Sequence, residues 1–213
     1  MNDLNPLDDA EDEALDPELF GELEREIPLL FGVRKLAYGL SAFSWFAHLG
    51  EEPSAAVRLA SSGYLDRLGF PEADLAILPT PEDAAAAAET EGWASPAWEA
   101  EELVRAEVIG RALEVVSEEA LEIAIKLVGA KAGESAKLAM EEEGAIWDIE
   151  DEAVKTLAVG AAVQAATSAA LTLLAVEADP EIELSDHLFT HKLKLFELGR
   201  WPVSVVGQSF SLF

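Results

Sequence analysis

The chain has 213 residues, no cysteine, and 42 Asp plus Glu against 14 Lys plus Arg, for a net charge of -28. Without cysteine there are no disulfides, no thiolate catalysis, no iron–sulfur clusters and no cysteine-based zinc sites. The acidity opposes binding to nucleic-acid phosphates or anionic lipid, and an apolar half is enough for a sizeable core.

Residues 1–16 read as a flexible acidic arm. Asp8, Asp9, Glu11, Asp12, Glu13 and Asp16 stand among too few large apolar groups to offset the entropy of ordering. The stretch is acidic where a leader would be basic and apolar, so an intracellular, cytoplasmic protein is expected. Residues 17–213 are expected to form a single helical domain.

Asp16-Pro17-Glu18 supplies a capping carboxylate and a proline at the first helical position, for a helix to about Glu26. Pro28 opens a second one, expected to run to Leu49 and to carry Trp45 and His48, with Gly50 as its stop. Pro53-Ser54 starts a short helix to about Ser62, and Tyr64 to Leu68 adds a turn. From Gly69 to Pro96 the prolines predict loops and short helices, one of them over Ala84 to Ala88 behind Thr80-Pro81-Glu82-Asp83.

Ser95-Pro96 caps a long helix in which Val104, Val108, Ile109, Leu113 and Val116 recur at three- and four-residue spacing. Ser117-Glu118-Glu119 either caps a new helix or lies within the same one, and Gly129 or Gly133 is expected to end it. A further short helix over Glu134 to Glu143 stops at Gly144.

Thr156 to Val176 carries no charge at all, between Lys155 and Glu177. A run of this length has the dimensions of a transmembrane helix. It is built mainly from alanine, which gains little from hydrocarbon, is interrupted by Gln164, Thr167, Ser168 and Thr172, and is acidic on both flanks. It therefore predicts a buried core helix, over about 150–178 and covered on nearly every side. Asp179-Pro180 ends it. Ser185-Asp186 starts a last helix to Leu198, closed by Gly199. Beyond Trp201-Pro202, small polar and apolar residues alternate around Gly207-Gln208, the pattern of a hairpin with a type II′ turn. The fold class expected is mainly α: a multi-helix domain around a central Ala-rich helix, with a short C-terminal β-hairpin.

Chemistry-bearing patterns are few. His187 and His191, four apart on the last expected helix, project from one face and with Asp186 form the best metal-ligand candidate, although Lys194 continues that face. No Glu precedes any histidine by three, so the di-iron bundle pattern is absent. Phosphate loops, dinucleotide fingerprints and nucleophile elbows are absent as well, and no cofactor is implied. Glu141, Glu142, Glu143 and Asp148 form an acidic stretch, and Trp201 lies beside Lys192, Lys194 and Arg200.

The expected function is non-catalytic: an adaptor, regulatory or toxin-neutralising protein that binds a basic protein partner, with neither nucleic acid nor membrane involved. Glu141, Glu142, Glu143, Asp148 and Trp201 are its candidate contact residues. The rival is a metal-assisted hydrolase using His187 and His191. A third reading is a small-molecule pocket lined by Trp45, Trp98 and Trp147.

Overall fold

A computed structural model describes residues 17–90 and 95–213. The acidic arm and its Asp16 cap lie outside the described residues. The fold is mainly α. In chain order the elements are α1 (Pro17–Glu26), α2 (Leu30–Gly39), α3 (Ala55–Leu68), β1 (Asp74–Ile77), α4 (Pro81–Thr90), α5 (Pro96–Ala112), α6 (Glu118–Ile146), α7 (Glu152–Ala178), α8 (Leu188–Glu197), β2 (Pro202–Val206) and β3 (Ser209–Leu212).

The helix at the centre is α7. It packs against α6, α5, α8 and α2. Gly129 of α6 lies beside Val163 and Thr167, and Gly144 beside Lys155, so α6 and α7 run antiparallel. Arg105 of α5 reaches Ser168 and Arg111 reaches Asp179, so α5 runs parallel to α7. Burial differs along its length. From Ala165 to Ala175 nearly every residue is buried, whereas the first half buries the stripe Val154, Ala158 and Ala162 and exposes Thr156, Leu157, Gly160 and Gln164. The expectation of cover on nearly every side holds for the second half alone. By length and composition α7 could cross a membrane, and 56% of its apolar window is buried inside the protein.

Several boundaries differ from expectation, each for a physical reason. α6 runs through Gly129, Gly133 and Gly144 without a break, because its neighbours on α7 support it. Glycine costs about 1 kcal/mol per helix-interior position, and tertiary packing exceeds that. Ser117 does cap it, its Oγ accepting from Ala120 N–H at 3.2 Å. α6 ends at Ile146 with Trp147 as its C-cap, and the residue that follows, Asp148 (φ +56), lets Ile149 N–H donate to Gly144 O at 2.8 Å in a Schellman closure.

α2 stops at Gly39 and passes through a 3-10 turn at Leu40–Ala42. Trp45 and His48 therefore lie in the following turns and not in a helix, and Trp45 has φ +36. Burial explains the bend. The Trp45 indole N–H donates to Ser135 Oγ at 2.8 Å, and its ring packs on Phe43 and Phe196. α3 continues through Gly63 to Leu68 as one helix, and Gly69 (φ +90) closes it.

The expected hairpin is present, turning at Gly207 (φ +61). It is part of a larger sheet, of order β1-β3-β2, in which β1 pairs parallel to β3 with Asp74 opposite Ser209. β1 falls in the stretch read as loops and short helices. Its four residues show no clear alternation, and its partner lies more than a hundred residues away.

Asp148 takes at the end of α6 a backbone conformation that glycine adopts freely. Asp148→Gly is expected to raise stability by about 0.5–1 kcal/mol in urea unfolding, and Gly50→Ala, at φ +64 with Trp147 2.7 Å from the new Cβ, to lower it.

Candidate functional sites

Three places bring chemistry-bearing side chains together: a buried charge cluster on α5 and α8, the N-terminus of α8, and the tip of the α6–α7 hairpin.

At the first, Glu101 and Lys192 are both buried. Lys192 Nζ stands 2.8 Å from both carboxylate oxygens. Arg105 Nη2 donates to Oε1 at 2.8 Å, and Tyr64 O–H donates to Oε2 at 2.9 Å. Each oxygen thus accepts two bonds, which fills the capacity of a carboxylate. Burial acts to raise the Glu101 carboxyl. The Lys192 charge, with the bonds from Lys192 and Tyr64 and the Arg105 charge, outweighs it and holds the group below its ordinary value. Arg105 also pairs with Glu102 and donates from Nε to Ser168 Oγ at 3.2 Å. The cluster so joins α3, α5, α7 and α8. Sequence reasoning passed over Glu101. A lone acid at the buried period of α5, three residues before Val104 and seven before Val108, was the only signal.

At the second, His187 is the N-cap of α8 and not a residue within it, after a 3-10 turn at Leu184–Asp186. The expected shared helical face with His191 is therefore not formed. His187 Nδ1 accepts from Phe189 N–H at 3.2 Å, with Thr172 Oγ1 3.3 Å away, which places the ring proton on Nε2. Burial pushes this imidazole down to about 4, with the Arg67 and His191 charges adding to the effect. His191 Nε2 stands 3.0 Å from Asp186 Oδ1. Arg67 of α3 binds Asp186 as well, and these bonds, that from Arg67 foremost, hold the Asp186 carboxyl down at about 2.

His187 thus spends its lone pair on the helix cap while Asp186 spends its oxygens on Arg67 and His191. The three candidate ligands do not converge, and among the described residues no three His, Asp or Glu side chains stand together as metal ligands. A cleft of about 350 Å³ opens beside His187, between Arg67, Glu107 and Glu183.

At the third, Glu141, Glu142, Asp148 and Glu150 are exposed, Glu143 is half-buried, and none of the five has an ion-pair partner among the described residues. Glu152 pairs with Lys155 at 2.7 Å, and Asp151 caps α7 through Ala153 N–H at 2.8 Å. Ile146, 74% exposed, lies between these carboxylates in the chain, at the end of α6. Trp201 does not join them. It is 3% exposed and bonded through its backbone to Phe213 in both directions. Read as a contact anchor, it is instead core, because the strand that follows must bury its apolar face. Trp45 is also core, and Trp147 packs edge-on against Phe213, so the three tryptophans expected to line one pocket are dispersed, with Trp98 alone at a cavity wall.

The chain matches no known family model, no curated protein and no solved structure.

Because folding lowers the His187 pKa, the folded state favours the neutral ring. Between pH 6.5 and 4 the unfolded chain binds a proton that the folded chain refuses, so this residue's contribution falls as pH falls through that window. His187→Asn keeps a capping side chain that does not titrate. The gap in urea midpoint between wild type and His187→Asn is expected to move in the variant's favour from pH 7 to pH 4.5.

Proposed function

We propose that this is a non-catalytic binding protein whose α6–α7 tip receives a basic protein partner. The observation that carries this reading is the arrangement at the tip. Glu141, Glu142, Asp148 and Glu150 are exposed without ion-pair partners among the described residues, and Ile146, between them in the chain, is exposed as well. Some acids elsewhere on helices are paired in place, Glu122 with Lys126, Glu134 with Lys131 and Glu197 with Lys194, while Glu107, Glu118 and Glu119 form no ion pair among the described residues. What sets the tip apart is the number of acids close together in the chain. Like charges gathered on one end repel one another and gain from any cation that approaches. An exposed large apolar residue within the charged rim supplies the desolvated contact that gives such a surface affinity.

The reading takes α7 as the core of a soluble, cytoplasmic protein. An adaptor, regulator or toxin-neutralising protein fits it, and it needs neither cofactor nor nucleic acid.

The test is capture of partners by three forms of the full chain: wild type, the tip variant Glu141→Lys/Glu142→Lys/Ile146→Ser, and the control Glu72→Lys/Glu89→Lys with its charge change elsewhere. Lysines near the C-terminal end of α6, at exposed positions, suit the helix dipole, so the tip variant should fold. The expected result is a basic protein held by wild type and control, released by about 0.5 M salt and at least tenfold weaker on the tip variant. Equal retention by the tip variant and wild type, or partners that are acidic and insensitive to salt, would refute the reading.

A further inference from the structure

The buried charge cluster closes one side of a cavity of about 130 Å³ between α3, α5, α7, α8 and β2. Its walls divide by chemistry. Tyr64, Trp98 and Phe210 supply aromatic surface, and Glu101, Gln164, Lys192 and Ser204 supply polar groups. An apolar cavity of about 150 Å³ accommodates benzene, so this space, open at one side, is of the size of a single ring with one small substituent.

The polar groups have unequal capacity left. Glu101 has none, since Lys192, Arg105 and Tyr64 fill all four acceptor positions. Lys192 directs both its hydrogen bonds to Glu101, and an ammonium carries a third N–H. The Ser204 hydroxyl is buried and has no partner among the described residues. What remains is the third Lys192 N–H, a donor, and the Ser204 hydroxyl, which can donate or accept, while the Gln164 amide on the cavity lining offers both a donor and an acceptor. The charges themselves balance: Glu101 and Glu102 against Lys192 and Arg105. A second carboxylate would be drawn to a cluster that is already neutral and would have to shed its water to reach it.

We propose that the cavity is a binding site for a small neutral molecule with a carbonyl oxygen on a compact, flat apolar body, such as a ring carboxamide. The ring lies between Trp98, Tyr64 and Phe210, and the oxygen accepts from Lys192 and Ser204. Pockets of this make-up, mostly apolar with a few convergent polar groups, are the usual form of small-molecule sites. The site is independent of the acidic tip, and neither reading depends on the other.

Benzamide is the probe, with benzoate and toluene as comparisons, measured by saturation-transfer NMR and thermal shift on the full chain. Benzamide is expected to bind and raise the melting temperature at millimolar concentration, with benzoate and toluene at least tenfold weaker. Ala161→Leu, which puts a good helix former into the cavity wall, is expected to abolish benzamide binding while circular dichroism and the melting temperature show an intact fold. Ser204→Ala, which removes a hydroxyl without a partner, is expected to fold as wild type does and to bind benzamide more weakly. Three results would each overturn the proposal: no benzamide binding to the folded wild type, toluene binding as well as benzamide does, or binding unchanged in Ala161→Leu.

Discussion

The structure depends on how closely other helices can approach the second half of α7. Ala165, Ala166, Ala169, Ala170 and Ala175 carry only a methyl group, so α5, α6 and α8 can pack against its backbone while the larger Leu171 and Leu174 fill what lies between them. Three polar residues sit inside this apolar stretch, and all are satisfied: Thr167 donates to Val163 O at 2.9 Å. Thr172 donates to Ser168 O at 3.0 Å, and Ser168 Oγ accepts from Arg105. From this one turn of α7 the polar contacts lead outward along two routes. Ser168 leads to Arg105, Glu101, Lys192 and Tyr64, and so to α5, α8 and α3. Thr172 leads to the His187 cap, and so to the start of α8. The central helix thus orients the side chains of both clusters.

The same packing shapes the outer charge. Lys192 is buried on Glu101. Arg200 is 2% exposed, with one nitrogen donating to Glu52 O at 3.0 Å, and burial lowers its pKa. Arg105 is largely covered between Glu101 and Glu102. Three of the 14 Lys and Arg residues are thereby withdrawn from the surface. The outside is accordingly more acidic than the composition alone implies. The C-terminal segment, where positive charge gathers in the sequence, presents little of that charge to solvent.

Much of the architecture was legible because its causes are local. The uncharged alanine run, the Ser95 and Ser117 caps, the Pro81 start and the Gly207 turn each depend on a few adjacent residues. What was not legible depends on contacts across the chain. The persistence of α6 through three glycines needs α7 beside it, and β1 needs β3. The bend at Trp45 needs Ser135 ninety residues away. The sites follow the same rule. His187 and His191 are spaced for one helical face, but the helix begins after His187, and a cap was not distinguishable from a first-turn residue. Glu101 was hidden among many acids until Lys192, ninety-one residues on, came to meet it. Trp201 sits beside basic residues in sequence, which is no guide to the direction its ring takes.

Hydrogen exchange followed by mass spectrometry on the full chain tests the central claim most directly, because slow exchange reports burial that only global unfolding relieves. Peptides over 165–175 are predicted to be the slowest in the molecule, and to lose protection together with the α5 and α8 segments around Glu101 and Lys192. Exchange over 165–175 as fast as at the exposed positions 156–160 would contradict the account.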